Sequence, residues 1–94
     1  MLMVFPLYIR GKIEEFTPYE EGTEAIIDGA GIHEGMVSIF LRIIPTQKQR
    51  CKLRFVFYEV NGVSFSGLES IRPIGTGTTR YSDEDETLIV YEVL

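Results

Sequence analysis

The chain has 94 residues, 45% of them hydrophobic, and no low-complexity tract. This length and composition predict one globular domain rather than a disordered segment. Its single cysteine cannot close an internal disulfide, and with one histidine it also lacks the ligands of a structural zinc site. The formal net charge of −5 disfavours nucleic acid as the partner.

The amino-terminal stretch is apolar but does not have the features of a signal peptide. It lacks a basic n-region, its apolar run is short, and no small-residue cleavage site follows. No run of about 18 apolar residues, the length needed to span a bilayer, occurs in the sequence. We therefore expect a cytoplasmic protein.

Residues 2–10 predict the first strand, because apolar side chains occupy every second position. Pro6 cannot donate a hydrogen bond to a neighbouring strand, so we expect this strand at a sheet edge or broken at the proline. Residues 11–22 are polar and contain Pro18, which interrupts any helical pattern. They predict a loop with at most a short helical turn.

Residues 24–28 predict a short second strand, and the Gly-rich residues 29–35 predict the connection that follows it. Residues 36–44 show the clearest strand pattern, with aliphatic side chains at alternate positions. Pro45 ends this strand, and residues 46–50 predict a polar loop.

Residues 51–72 contain the strongest local signal, which is a pair of strand-like runs on either side of Asn61 and Gly62. This dipeptide favours a type I′ turn, because both central positions of that turn need a positive φ. A two-residue turn would place Tyr58 opposite Phe65. We expect the rest of the sheet to be built around this hairpin.

Pro73 predicts the end of the second hairpin strand, residues 74–86 predict a loop, and residues 87–94 predict the last strand. Six strands joined by mostly short loops indicate an all-β fold, an antiparallel sheet that forms a small sandwich or partial barrel. Several strands carry apolar residues on both faces, so the more polar face needs cover. A second sheet layer, the long loops or a second subunit of a homodimer would supply it.

Two short motifs suggest chemistry but lack the residues that would complete it. His33 and Glu34, framed by glycines, would suit an acid–base pair, yet no nucleophile or second histidine accompanies them. Residues 75–80, Gly-Thr-Gly-Thr-Thr-Arg, resemble a phosphate-binding loop only superficially, because the lysine and the following helix of such loops are missing. We expect no enzymatic activity, cofactor or metal.

Four basic residues alternate along the chain before Phe55, so on a strand they would share one face. They are Lys48, Arg50, Lys52 and Arg54. Single-stranded nucleic acid could bind such a stripe, although the charge of the whole chain opposes it. The alternative to protein binding is a small, nucleotide-like ligand in a pocket between subunits. Its candidate contacts are Lys52, Arg54, Thr76 and Arg80.

Two stretches together resemble a known family. Residues 31–39 contain His-acid-x-x-Val at the start of a strand, and residues 53–60 contain Phe-x-x-Val before a turn. The chain is thus similar to small β-rich immunity proteins of bacterial polymorphic toxin systems, in which His-Asp-x-x-Val opens a strand. The matched residues are His33, Glu34, Val37, Phe57 and Val60. The match lies within about a third of the chain and departs from the family in having Glu34 instead of Asp.

The resemblance implies that the protein neutralises a toxin by binding it directly, and an acidic chain would suit a basic toxin such as a nuclease. We expect a non-enzymatic protein-binding module whose contacts are exposed acids in loops and one aromatic anchor. These residues are Glu20, Glu21, Tyr81, Asp83, Glu84, Asp85 and Glu86.

Overall fold

The structure, a computed structural model, describes residues 1–60, 70–81 and 84–94, except for the Tyr81 side chain. These residues form seven strands. They are β1 (Leu2–Pro6), β2 (Glu14–Phe16), β3 (Thr23–His33), β4 (Met36–Pro45), β5 (Leu53–Glu59), β6 (Ile71–Tyr81) and β7 (Glu84–Val93). One sheet contains all of them, in the order β1-β4-β3-β6-β7-β5-β2, and curls into a half-barrel with β1 and β2 at its edges.

The all-β class is confirmed, while two details of the predicted sheet are wrong. The sheet is mixed, because β3 and β6 run parallel where Ala30 pairs with Gly75. It also has seven strands instead of about six, because β2 and β6 form in segments that predict loops. Every other strand pair is antiparallel.

The core fills the concave side of the half-barrel. Ile39 of β4 and Phe55 of β5 are fully buried there, and Phe5 of β1 packs its ring 5.2 Å from that of Phe16 of β2. A second cluster lies on the opposite face of β5 and β7 and has Val56 at its centre. Both faces of this part of the sheet are therefore apolar.

The predicted hairpin over residues 51–72 does not organise the sheet. The neighbours of β5 are β7 and β2, and Ile71 and Arg72 pair with Val93 and Glu92 of β7. β5 thus pairs with a long apolar strand from a distant part of the chain. The Asn-Gly turn itself lies within residues 61–69, outside the described residues.

A tight hairpin connects β3 and β4. Its turn residues are Glu34, with φ of 51°, and Gly35, with φ of 78°, and His33 pairs with Met36 across its base. Two positive φ values are the signature of a type I′ turn. The predicted connection over residues 29–35 is therefore wrong, because a bulge after Ile27 lets the glycines continue β3.

The predicted loop over residues 74–86 is also wrong for the residues described, because residues 74–81 belong to β6 and residues 84–86 to β7. Pro73 does not end β6, because the register shifts between Pro73 and Gly75 and the strand continues beyond this bulge. A Cβ atom at Gly75 would overlap the backbone of Ala30, and one at Gly77 would lie 2.6 Å from Cγ1 of Ile32. The glycines thus permit the close approach of β6 to β3.

Candidate functional site

The two edge strands, β1 and β2, do not pair with each other, and we define the gap between them as the seam. Residues 7–13 cross the seam at one end, where the Leu7 amide donates to the Val37 carbonyl at 2.8 Å and the Gly11 amide to the Phe57 carbonyl at 2.9 Å. Arg10 forms ion pairs with Glu59 and, at 2.7 Å, with Glu86. This end of the seam is closed.

At its other end the seam opens into a cavity of about 620 Å³. The lining comes from the start of β1, the segment after β2, the start of β3 and the end of β4. The residues are Met1, Met3, Phe16, Thr17, Tyr19, Glu20, Thr23, Ile43, Ile44 and Pro45. This volume lies within the range of small-ligand sites, and most of the lining is apolar.

One wall of the cavity is held in place by hydrogen bonds. The Arg50 guanidinium donates to the carbonyl oxygens of Pro18 and Tyr19 at 3.2 and 3.3 Å. The Thr23 hydroxyl donates to the Glu20 carbonyl at 2.6 Å. Tyr19 itself points away from the protein and is almost fully exposed at the rim. The cavity therefore has a fixed wall and an aromatic side chain at its mouth.

The opposite wall is β1, whose hydrogen-bonding groups alternate between β4 and the seam. Met1 exchanges two backbone hydrogen bonds with Ile43, and the Leu7 amide donates to Val37. In an antiparallel ladder such pairs recur at every second residue, so Met3 and Phe5 also face β4. The backbone groups of the residues between them point to the seam.

Leu2 and Val4 therefore direct an N–H and a C=O each away from β4. Among the described residues no strand pairs with this edge, and Pro6, the third outward residue, offers only a carbonyl. The side chains of Leu2 and Val4 are 79% and 37% exposed. Protein edge strands usually carry charges that prevent pairing, but residues 1–9 contain no charged side chain.

A polar recess of about 400 Å³ lies next to the cavity and shares Thr17 with it. Its charged residues are Glu21, Lys48 and Arg50. Arg50 lies 4.0 Å from the Glu21 carboxylate, and no ion pair is described for Lys48. The recess thus adds polar groups of both signs to one side of the open seam.

The acidic residues predicted to bind a partner lie at opposite ends of the half-barrel. Glu20 and Glu21 follow β2 at the cavity end, whereas Glu84, Asp85 and Glu86 begin β7 at the closed end. Glu86 accepts two hydrogen bonds from Arg10, at 2.7 and 3.1 Å. Asp83 and the Tyr81 side chain lie outside the described part of the chain. The described members of this set do not lie on one surface.

The residues predicted for a nucleotide-like ligand are also dispersed. Lys52 forms an ion pair with Glu15 at 3.1 Å, and Arg54 donates to the Leu94 carbonyl at 3.2 Å. Thr76 and Arg80 lie on β6, two strands away from β5. The predicted basic stripe does not form on one strand, because β5 begins at Leu53 and Arg54 is the one stripe residue that lies on it. The other three, Lys48, Arg50 and Lys52, precede the strand.

His33 and Glu34 lie at the tip of the β3–β4 hairpin, where both are exposed and Nε2 of His33 is 3.9 Å from Oε1 of Glu34. The His33 ring packs edge-on against Phe40, with the ring centroids 6.3 Å apart. The described residues include no group of three or more side chains placed to hold a metal ion. They also include no helix long and apolar enough to cross a membrane.

No family model, curated protein or solved structure matches the chain. The candidate site therefore rests on the geometry of the seam alone. Apart from Glu20, which lines the cavity, the residues of the cavity and of the β1 edge were absent from the predicted sites, although the sequence contains a signal for them. Pro6 indicates that the first strand lies at a sheet edge. The absence of charged side chains from residues 1–9 indicates that this edge is open to pairing with another strand.

Proposed function

We propose that the protein is a non-enzymatic binding module that takes up an extended apolar segment of a partner protein as an additional strand beside β1. One observation carries the proposal: the outward N–H and C=O groups of Leu2 and Val4 lie beside an apolar cavity. Strand addition to an exposed sheet edge is a recurring mode of peptide recognition.

The two parts of the seam have different tasks in this proposal. Leu2 and Val4 form up to four backbone hydrogen bonds with the incoming segment, each contributing about 0.5–1.5 kcal/mol net. Because side chains alternate along a strand, every second residue of the segment enters the cavity between Met3 and Phe16. The hydrogen bonds set register, and the cavity selects apolar residues at alternate positions.

The test is a selection from a displayed library of extended peptides, followed by titration of the enriched peptides against two variants. Val4→Pro removes the outward N–H while leaving the hydrogen bonds to β4 intact, and proline is tolerated at such an edge position. Val4→Thr keeps the N–H and the β-branched shape, and it is the matched control.

We expect peptides with apolar residues at alternate positions. Val4→Pro should weaken their binding at least about fivefold, because one hydrogen bond is lost and a peptide carbonyl is left unpaired. Val4→Thr should bind within about twofold of the original protein. Peptides that bind Val4→Pro as tightly as the original protein would show that β1 is not the binding edge.

The resemblance to immunity proteins makes a bacterial toxin the most specific form of this proposal, in a protein that acts in the cytoplasm. A tagged protein is used to capture partners from its native host, in parallel with Val4→Pro and Val4→Thr. The expected result is one stoichiometric partner that Val4→Thr retains and Val4→Pro loses. A partner retained equally by all three would bind another surface, such as the acids at the start of β7.

A small apolar molecule is the second candidate ligand, favoured by the size of the cavity. The same variants distinguish the two, because a molecule held only by apolar contacts does not use the Val4 N–H. A substitution that fills the cavity, such as Thr23→Phe, should weaken either ligand. Val4→Pro should weaken only the peptide.

A further inference from the structure

We infer that, when no partner is bound, β1 pairs with β1 of a second copy of this chain, in an antiparallel register centred on Met3. The inference rests on the proposed function because it uses the same edge, and it adds a regulatory step to it. In the homodimer the second copy occupies the outward edge of β1, so a partner segment must displace that copy before it can bind.

The register follows from which backbone groups point outward. Centred on Met3, the pairing places Leu2 opposite the partner subunit's Val4, and both residues direct their N–H and C=O groups toward each other. By symmetry this gives four hydrogen bonds and uses every outward group of Leu2 and Val4. A register centred on Val4 would instead face Leu2 with Pro6, which has no N–H to donate.

The side chains of the edge also permit self-pairing. Residues 1–9 carry no charged side chain, and in this register the Met1 ammonium lies opposite the partner subunit's Phe5. No like charges would therefore oppose each other along the paired strands despite the net charge of −5. Leu2 and Val4 are both exposed in one chain, and in the dimer the Leu2 side chain would pack beside the partner subunit's Val4 and shield part of it from water. A second copy thus meets the geometric and electrostatic requirements of the edge.

The interface is small, because only a five-residue strand takes part. Interfaces of this size belong to weak and transient complexes. We therefore expect a reversible monomer–dimer equilibrium in which the dimer fraction rises with protein concentration. Such a weak dimer can be displaced by a partner segment.

Sedimentation equilibrium of the intact chain tests the inference. The original protein and Val4→Thr should shift with concentration from the 10.7 kDa of one chain toward twice that mass. Val4→Pro should lower the association constant at least about tenfold, because two of the four hydrogen bonds are lost. A protein that remains monomeric up to millimolar concentration, or dimers unaffected by Val4→Pro, would overturn it.

Cross-linking tests the register in a background that carries Cys51→Ser, since the native Cys51 is exposed. Met3→Cys should form an intersubunit disulfide on mild oxidation, because directly opposite residues of this kind have Cα atoms about 4.5 Å apart. Val4→Cys should not, because its counterpart would be displaced by two residues. Cross-linking of Val4→Cys but not of Met3→Cys would overturn this register.

Adding a peptide from the selection separates the two proposals. Peptide that converts the dimer to a monomer–peptide complex supports both. Peptide binding to a protein that never dimerises would refute the homodimer and leave strand addition standing. A dimer for which no peptide is selected would refute strand addition of a partner and leave the homodimer standing.

Discussion

Gly75 and Gly77 lie on β6 where this strand contacts β3, and Gly75 pairs with Ala30. The two glycines are two residues apart and so share one face of β6. Atoms of Ala30 and Ile32 already occupy the space that a Cβ atom at either position would need. Their sequence context resembles a flexible phosphate-binding loop, but their role is to join the two halves of the half-barrel.

Gly75→Ala should therefore destabilise the protein by about 1–3 kcal/mol, the usual cost of forcing an extra group into a packed site. This corresponds to a fall in Tm of roughly 4–8 °C per kcal/mol for a domain of this size. The control is Thr76→Ala, at an exposed neighbouring position, which should change stability by less than about 0.5 kcal/mol. Equal melting temperatures for the two variants would contradict the close approach of β3 and β6.

The two turn residues between β3 and β4 should also respond to substitution in opposite directions. Glu34 has the positive φ that asparagine accepts more readily, so Glu34→Asn should stabilise the protein by about 0.5–1 kcal/mol. Gly35→Ala should destabilise it by about 1 kcal/mol although the added Cβ meets nothing within 4 Å, because its φ is also positive. Urea unfolding would measure both, and a destabilised Glu34→Asn would contradict the type I′ turn.

At the scale of elements, β6 and β7 are joined by a charged pair that differs from the exposed pairs elsewhere. Glu92 of β7 is buried, and its carboxylate accepts a hydrogen bond from Arg72 on the opposite position of β6. Arg42 and Asp28 pair between β4 and β3 at 2.8 Å, and the Asp28 side chain is 36% exposed against 10% for Glu92, while the two arginines are similarly exposed. A buried carboxylate depends more on its partner than an exposed one.

Arg72→Met should therefore cost about 1–2 kcal/mol, a value discounted for the solvent that reaches the arginine. Arg42→Met should cost less than about 1 kcal/mol, as is usual for surface pairs. The comparison is made by urea unfolding at low ionic strength. A smaller loss for Arg72→Met than for Arg42→Met would contradict the role assigned to burial.

The elements also show which parts of the sheet a sequence can predict. β4 was predicted within one residue, because its alternation of aliphatic side chains is uninterrupted. β1 was correctly expected at an edge from Pro6. The glycine-containing strands β3 and β6 were largely missed, since local rules assign such residues to loops, and only the close contact between the two strands explains them.

At the scale of the whole molecule, the partners of each strand are set by distant parts of the chain. β5 follows β4 in sequence but pairs with β7 and β2. β1 pairs with β4, although β2 and β3 lie between them in the sequence. Such pairings have no local signal comparable to a turn, so neither the mixed sheet nor the seam was predicted. The seam is a consequence of topology, because the two edge strands face each other without pairing.

Amide hydrogen exchange by NMR, with the dilute protein and then with a selected peptide, tests the central claim that β1 binds through its outward edge. In the dilute free protein the Val4 amide should exchange rapidly, while those of Met3 and Phe5, which face β4, should be protected. Peptide binding should protect Val4 and leave Met3 and Phe5 unchanged. A peptide that binds without protecting the Val4 amide would contradict strand addition.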